Sequence, residues 1–344
     1  MAKKLETPCA MPLRGLPNEF KYDYAMGGHA SLSKAFLYAI REKYVAAAAL
    51  EIYDLVCIMD DRVKNLTNSI RTIFNLQDNN CRTIGELFDI YDEFTGIEST
   101  ILKRLKSINI RKVTKCPWKT EPTDISDWAI SFYNVVSKTI NPNITFKRPK
   151  AMCAGDPYCE YIWKLEESSQ LTEDDEVMAA KLETPCEASK KGLSWAQKYD
   201  FAMRHYTDFI KGFLYAAREK YSAAEALNIY TRVCKMGNRV KNLVNALLKI
   251  FKIEGNDAEA IGLWCDIWHE LCGQEATILE RSKTINRDRI TKCPWKTKHK
   301  DISDWAFIFR EIFSKAFNEK TTFERPKAMC AGDAYCEYTY KIEE

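Results

Sequence analysis

Apolar residues in the first half of the chain recur with a helical period. Seven of them are separated by alternating steps of four and three: Ile52, Val56, Met59, Val63, Leu66, Ile70 and Ile73. This spacing keeps them on one helix face, so it predicts a continuous helix over three heptads. The same pattern returns from Ile229 to Ile250, where Ser222-Ala-Ala-Glu225 predicts an N-terminal capping box. We interpret the stripe as core or as the seam of a pseudo-dimer, with a cofactor groove as the alternative.

The remaining pattern predicts further helices and then strands. Helices are expected at Tyr22–Tyr44 and Tyr199–Tyr221, at Ile84–Phe94 and Ile261–Leu271, and at Asp124–Thr139 and Asp301–Ala316. Strands are expected near Arg111–Cys116 and Arg289–Cys293, at Thr145–Ala154 and Thr322–Ala331, and at Tyr158–Leu165, which follows a Gly155-Asp-Pro turn. The predicted fold is α+β: each half has an N-terminal helical layer, then a small antiparallel sheet with one helix.

The chain is a tandem duplication. Met1-Ala-Lys-Lys-Leu-Glu-Thr-Pro-Cys9 returns as Met178-Ala-Ala-Lys-Leu-Glu-Thr-Pro-Cys186, and 91 of 167 positions are identical without a gap at an offset of 178 − 1 = 177. Copy 1 therefore spans 1–167, copy 2 spans 178–344, and the acidic stretch 168–177 is a linker. The expected arrangement is a pseudo-twofold tandem dimer, descended from a single-copy homodimer.

Composition narrows the class of protein. Lys and Arg number 51 against 48 Asp and Glu, so the net charge of +3 offers no concentrated basic surface for nucleic acid. The chain begins without an apolar leader and contains no run of 18 apolar residues, which predicts a cytoplasmic protein without a membrane span. Thirteen cysteines in such a protein favour free thiols or metal ligands over a disulfide framework.

Two blocks that both copies keep carry the candidate chemistry. One is Thr114-Lys-Cys-Pro-Trp-Lys-Thr120, and the other runs from Arg148 to Asp156 and continues as Tyr158-Cys-Glu-Tyr161. The predicted ligand-binding residues are the cysteines and tryptophans of these blocks: Cys116, Trp118, Cys153 and Cys159 in copy 1, and Cys293, Trp295, Cys330 and Cys336 in copy 2. The tryptophans are candidates for stacking on a planar ligand, with core packing as the alternative.

The six cysteines of these blocks are also candidate metal ligands. A hairpin with the loop Gly155–Pro157 places Cys153 opposite Cys159 on one face, whereas the loop Asp156–Pro157 places them on opposite faces. If they lie on one face, the two sulfurs could form a disulfide or share a zinc or iron ion, with Cys116 as a third ligand. The alternative is that they are small buried hydrophobic residues. The cofactor is otherwise unknown.

The two copies differ at a few informative positions. Copy 2 has Cys265, His269 and Cys272 on one helix face, which is a candidate copy-specific metal site. Copy 1 has Phe88, Asp92 and Thr95 there, but it alone has Gly27-Gly28-His29. None of the four histidines is shared between the copies, which excludes a histidine mechanism common to both. This asymmetry suggests that the copies have divided their functions.

The hairpin Ala154-Gly-Asp-Pro-Tyr-Cys-Glu-Tyr161 and the upstream Thr-Lys-Cys-Pro-Trp resemble a bacterial and archaeal superfamily. Its members include the L-2-amino-thiazoline-4-carboxylic acid hydrolases and the 4-vinyl-reductase-type ligand-binding domains, and this chain is most similar to an uncharacterised branch. The resemblance implies binding of hydrophobic or tetrapyrrole-like ligands, or hydrolysis of a C–N bond. In zinc-binding members the earlier hairpin cysteine falls at Ala151 and Ala328 here, so zinc binding is not carried over directly.

The combined expectation is a small-molecule-binding protein with a cysteine-lined site in each repeat. The ligand would be hydrophobic, heterocyclic or tetrapyrrole-like. One alternative is a hydrolase acting on a thiazoline-like or thio-substituted substrate through a cysteine thiolate or its metal. Another is a metal-binding accessory partner of a larger enzyme. The expected partners are therefore a small molecule and, in the last case, another protein.

Overall fold

The computed structural model describes Thr7–Pro8, 16–166, Thr184–Pro185 and 193–343. The α-helices of copy 1 are α1 Asn18–Lys43, α2 Ala46–Ile58, α3 Arg62–Ile73, α4 Cys81–Thr95 and α5 Ile130–Ile140. Those of copy 2 are α6 Trp195–Lys220, α7 Ala223–Lys235, α8 Arg239–Phe251, α9 Ala258–Leu271 and α10 Trp305–Phe317. No helix in these described ranges is long and apolar enough to cross a membrane. The predicted linker, 168–177, lies outside the described residues.

Each copy contributes four long antiparallel strands to one sheet. In copy 1 these are β2 Glu98–Arg104, β3 Ile108–Lys115, β4 Ile144–Lys150 and β5 Cys159–Leu165, in the spatial order β4-β5-β3-β2. In copy 2 they are β7 Glu275–Arg281, β8 Ile285–Lys292, β9 Thr321–Lys327 and β10 Cys336–Ile342, in the order β7-β8-β10-β9. In both sheets, helices precede the strands, which confirms the predicted α+β fold.

A short strand from the other copy completes each sheet. β1, Thr7–Pro8, pairs with β7 of copy 2, and β6, Thr184–Pro185, pairs with β2 of copy 1. The chain accordingly forms two compact units that differ from the sequence repeats. The copy-1 unit is Met26–Ala202, and the copy-2 unit is Met1–Ala25 with Met203–Glu344. Each unit thus contains the first 25 residues of the other repeat.

Side chains fix these exchanged segments in place. In the copy-2 unit, the Leu16 backbone N–H donates to Glu270 Oε1 at 3.0 Å, and Lys21 Nζ lies 3.3 Å from the same carboxylate. In the copy-1 unit, Phe201 stacks on Phe94 with ring centroids 3.9 Å apart. The exchange is therefore supported by polar and aromatic contacts as well as by two-residue strands.

The continuous helix predicted from Ile52 to Ile73 is wrong. The helix is interrupted between α2 and α3, where Asp60 and Asp61 have φ values of 55° and 52°. Gly237 and Asn238 adopt the same left-handed conformation between α7 and α8. Asn, Asp and Gly are the residues that tolerate this region, so both copies keep the break with different side chains. The capping prediction at Ser222 is confirmed, since its hydroxyl accepts from the Glu225 N–H at 3.1 Å.

The predicted tight hairpin is also wrong. β4 ends at Lys150, which pairs with Glu160, so the loop is longer than either predicted version. Met152–Ala154 forms a turn of 3-10 helix, and Cys153 has no strand partner. Asp156 explains this geometry, because its carboxylate accepts from the Ala151 N–H at 2.8 Å and closes the loop. Cys153 and Cys159 therefore do not lie opposite each other on a sheet face.

Helices α4 and α5 cover one face of the copy-1 sheet, and the close approach of α4 depends on a glycine. Alternate residues of β3, among them Asn109 and Arg111, are buried beneath α4. A β-carbon at Gly85 would lie 2.7 Å from Arg104 Nε and from Asn109 Oδ1. Gly262 meets Arg281 and Asn286 in the same way. The layer between helix and sheet is consequently tight and rich in buried polar groups.

Candidate functional site

The Cys-Pro-Trp loop packs against α1 in the copy-1 unit. Trp118 is buried and meets the His29 ring edge to face, with centroids 5.3 Å apart. Lys34 Nζ donates to the Pro117 carbonyl at 3.1 Å, and the Glu121 N–H donates to Tyr38 Oη at 3.2 Å. In the copy-2 unit, Tyr206 replaces His29 against Trp295 at 4.8 Å. Both tryptophans are packed against aromatic rings of their own unit, as the core-packing alternative expects.

The cysteine sulfurs bond to the backbone or to an amide side chain. Cys153 Sγ accepts from the Thr120 N–H at 3.3 Å, and Cys159 Sγ accepts from the Met152 N–H at 3.2 Å. Cys330 and Cys336 repeat both bonds, and Cys293 Sγ accepts from Gln274 Nε2 at 3.2 Å. The described cysteines are all free thiols. These sulfurs fasten the Cys-Pro-Trp loop and the β4–β5 loop to the rest of the unit.

Burial makes four of these thiols, Cys116, Cys159, Cys293 and Cys336, poor nucleophiles at neutral pH. Burial raises the pKa of Cys116 to about 12 and that of Cys293 to about 11. Burial also raises the pKa of Cys159 and Cys336. Since the thiolate is the reactive form, these environments do not activate a cysteine. The raised pKa values of these four cysteines therefore do not support the hydrolase alternative.

The predicted metal sites also lack support. Within 16–166 and 193–343, no group of three His, Cys, Asp or Glu side chains is arranged to hold a metal ion. Cys116, Cys153 and Cys159 are neighbours, but two of the three sulfurs already accept N–H donors, and so do Cys293, Cys330 and Cys336. The described residues therefore offer no ligand set for the zinc or iron that the cysteine pattern suggested.

The copy-2 cluster of Cys265, His269 and Cys272 surrounds a guanidinium instead of a metal. Arg310 Nη1 lies 3.4 Å from Cys265 Sγ, and Arg310 Nη2 lies 3.4 Å from His269 Nε2. All three predicted ligands are buried, and burial lowers the pKa of His269 well below its usual value. An arginine already supplies positive charge to this cluster, which opposes binding of a metal cation.

The corresponding interior of the copy-1 unit holds a buried ion cluster that none of the sequence motifs predicted. Arg111 Nη2 contacts Asp92 Oδ2 at 2.6 Å, and its Nη1 contacts Asp89 Oδ1 at 3.1 Å. Arg104 binds Asp89 with two hydrogen bonds of 2.6 and 2.7 Å. Burial raises the pKa of Asp92 to about 6 even though Arg111 opposes that shift.

The copies carry this charge on different elements. Copy 2 has His269, Asp288 and Arg310 where copy 1 has Asp92, Arg111 and Tyr133. The buried cation is Arg111 on strand β3 in copy 1 and Arg310 on helix α10 in copy 2. The carboxylate is Asp92 on helix α4 in copy 1 and Asp288 on strand β8 in copy 2. The aligned copies show the three charge differences, but only the structure shows that all of these positions are buried.

A cleft lies at the edge of the copy-1 sheet. Its volume is about 310 Å³, and it is lined by Ile130, Phe146, Lys147, Arg148, Pro149 and Ile162. Arg148 is held by Nη2, which donates to the Ser126 carbonyl at 2.7 Å and to Asp127 Oδ1 at 2.8 Å. Arg148 Nε is buried and has no hydrogen-bond partner among the described residues. The cleft is therefore apolar with one unsatisfied donor.

The equivalent place in the copy-2 unit carries a larger side chain. Phe307 stands where copy 1 has Ile130, and its ring contacts Phe323 with centroids 5.1 Å apart. The Arg325 guanidinium carbon lies 5.8 Å from the Phe307 ring centroid. Arg325 keeps the bonds of its counterpart, to the Ser303 carbonyl at 2.8 Å and to Asp304 at 2.6 Å. The larger Phe307 ring thus stands at the position that Ile130 holds in the lining of the copy-1 cleft.

No protein-family model, curated protein or solved structure matches this chain.

Proposed function

We propose that the chain is a small-molecule-binding protein and that the copy-1 cleft holds the ligand. The observation that carries this proposal is the open cleft of about 310 Å³ beside a buried, unsatisfied Arg148 Nε. This volume falls at the lower end of the usual range for small-molecule sites, which are mostly apolar with a few polar groups. The resemblance to ligand-binding domains points to the same class of function.

The lining defines the kind of ligand. Ile130, Phe146 and Ile162 would bury an apolar body, and ring contacts with Phe146 favour a planar one. A buried N–H without an acceptor is costly, so a carbonyl or ring nitrogen of the ligand would bond to Arg148 Nε. Lys147 at the rim tolerates an anionic substituent. The ligand is accordingly a small, planar, mainly apolar molecule with at least one hydrogen-bond acceptor.

Binding of indole-3-carboxaldehyde, measured by isothermal titration calorimetry, tests this proposal. The intact chain is expected to bind one equivalent, and Ile130→Phe is expected to weaken binding at least tenfold because it copies the residue that fills the copy-2 position. Phe307→Leu, at the equivalent position on helix α10 of copy 2, is the matched control and should leave binding to the copy-1 cleft unchanged. Equal affinity of the intact chain and Ile130→Phe, or no binding by either, would contradict the proposal.

A further inference from the structure

The sheet of the copy-1 unit has a second face, opposite the one that α4 and α5 cover. Asn109 and Arg111 of β3 are buried on the covered face, so the alternate residues of this strand lie on the other. Residues that pair across an antiparallel sheet share a face. The pairing places three rows on this outer face: Ile108, Lys164 and Thr145; Ile110, Ile162 and Lys147; and Lys112, Glu160 and Lys150.

Isoleucines form the centre of the outer face. Ile108 and Ile110 lie two residues apart on β3, Ile162 pairs with Ile110 from β5, and all three are half-buried. Glu160 is the one carboxylate of the three rows. The lysines of the rows are Lys112, Lys147, Lys150 and Lys164. The rows therefore carry a net charge of 4 − 1 = +3 around an apolar centre.

The equivalent face of copy 2 pairs a lysine that copy 1 leaves without an anion. Lys341 Nζ lies 2.9 Å from Glu324 Oε1, at diagonal positions of β10 and β9. Copy 1 has Lys164 and Lys147 at these two positions, and neither forms an ion pair with a described residue. Like charges at neighbouring cross-strand positions are destabilising. An anionic partner would remove this repulsion.

A second position separates the two faces in the same way. Arg287 forms an ion pair with Glu337 in copy 2, whereas copy 1 has Ile110 and Glu160 there. The copy-2 rows carry 4 − 2 = +2, so the two faces differ less in net charge than in its pairing. Copy 2 satisfies two of its cations within the face. Copy 1 instead presents lysines and isoleucines together.

We infer that the outer face of copy 1 binds an acidic amphipathic helix of a protein partner. Two strand spacings give the face a width of about 10 Å, which matches the diameter of one helix. Apolar side chains of such a helix would cover the three isoleucines, and its carboxylates would pair with the flanking lysines. Both the charge and the apolar centre of the face are then used.

Other anionic partners fit this face less well. The phosphates of a nucleic acid offer nothing apolar to the isoleucines. Tyr158, the aromatic ring beside the rows, has Lys112 and Lys150 ammonium groups 4.8 and 4.6 Å from its centroid, where a base would stack. A membrane surface would favour apolar side chains that protrude, whereas these isoleucines are half-buried within the sheet.

Fluorescence anisotropy of a labelled synthetic helix, with leucine along one face and glutamate elsewhere, tests this inference on the full chain. The intact chain should bind the helix saturably. Ile110→Arg, which copies Arg287, and Lys164→Glu should each weaken binding at least tenfold. The controls on the copy-2 face, Ile285→Arg and Lys341→Glu, should leave the affinity unchanged.

This inference does not depend on the proposed function. Lys147 and Ile162 belong both to the outer face and to the cleft lining, but Ile110 and Lys164 do not line the cleft. Ile110→Arg and Lys164→Glu should therefore keep the binding of indole-3-carboxaldehyde and the far-UV circular dichroism of the intact chain. Loss of binding to the synthetic helix alone then reports on the outer face.

The contrary results are equally specific. Absence of saturable binding, or equal binding of the synthetic helix by the intact chain and both variants, would exclude this face as the docking surface. Equal binding of a peptide of the same composition in scrambled order would mean that the amphipathic pattern is not recognised. Tighter binding of an oligothymidylate, or of phosphatidylcholine vesicles with one third phosphatidylserine, would overturn the assignment to a protein partner.

Discussion

Arg111 and Asp92 form a buried ion pair, with Nη2 and Oδ2 2.6 Å apart, beneath helix α4 of the copy-1 unit. Ser99 Oγ donates to the same carboxylate oxygen at 2.6 Å, and Arg111 Nη1 donates to the Gly85 carbonyl at 3.1 Å. The pair therefore joins a helix to two strands. Removing one member would leave the other as an unpaired charge buried away from water.

Arg111→Met is expected to lower the free energy of unfolding by about 3–5 kcal/mol, because it leaves Asp92 without its cation. The double variant Arg111→Met/Asp92→Asn should recover most of this loss, since it removes both charges. Urea unfolding of the four members of the double-mutant cycle measures the coupling. Lys115→Met, in an exposed pair with Glu98, is the control and should change stability by less than about 1 kcal/mol. Additive effects of the two buried substitutions would contradict the prediction.

Acid should destabilise the copy-1 unit through His29. Burial lowers the pKa of His29 from 6.5 to about 3. The unfolded chain therefore binds a proton that the folded chain excludes, so this contribution is complete above pH 6.5 and is lost as the pH falls towards 3. From pH 7 to pH 4 the loss is roughly 3 kcal/mol at about 1.4 kcal/mol per pH unit.

His29→Tyr, which copies Tyr206, should remove that part of the pH dependence. Unfolding curves of both proteins at pH 7, 5.5 and 4 provide the comparison. The difference in stability between His29→Tyr and the unaltered chain should shift in favour of the variant as the pH falls. A constant difference over this range would mean that His29 is accessible to protons in the folded state.

Gly85→Ala is expected to destabilise the copy-1 unit by about 1–3 kcal/mol, since the added methyl group would overlap Arg104 and Asn109. Gly27→Ala is the matched control, because a β-carbon there would have no neighbour within 4 Å. Gly27 lies within helix α1, so alanine should stabilise it by up to about 1 kcal/mol. Thermal unfolding of both variants measures the contrast, and equal shifts in the same direction would show that α4 can move away from the sheet.

The exchanged segments predict that the two halves of the chain stay together after the linker is cut. A protease site placed at 168–177 would separate copy 1 from copy 2 covalently, but each unit would still contain the first 25 residues of the other copy. Size-exclusion chromatography after cleavage should give one complex at the mass of the intact chain. The halves should separate only in denaturant. Two half-sized species in native buffer would contradict the exchange.

The sequence predicted most helices from their apolar periods and placed strands β3 and β5 close to their observed positions, although β3 buries the polar Asn109 and Arg111. It did not reveal the break at Asp60 and Asp61, because the apolar spacing continues across the break without a change of phase. Strand β2 was missed because its residues are mostly only half-buried. The β4–β5 loop depends on the bond between Asp156 and the Ala151 backbone, which no residue pattern indicates.

The candidate site was less predictable than the fold. The prediction centred on the Cys-Pro-Trp and hairpin blocks because both are rich in cysteine. In the structure these sulfurs are largely buried, and several accept hydrogen bonds that hold the loops in place. The ion cluster depends on which side chains face inward beneath α4, and that orientation follows from packing rather than from spacing. The lining of the cleft differs between the copies at three positions: Ile130, Lys147 and Ile162 are Phe307, Glu324 and Thr339 in copy 2. That these positions line one cleft follows from the packing of α5 on the sheet, which the sequence does not show.

Native mass spectrometry of the purified chain, before and after denaturation, tests the central claim that the copy-1 cleft binds a small molecule. Protein equilibrated with a small-molecule extract of its expression host should carry one organic adduct that denaturation releases, and Ile130→Phe should lose this adduct while Phe307→Leu keeps it. A native mass equal to that of the bare chain, or an adduct that Ile130→Phe retains in full, would contradict the account.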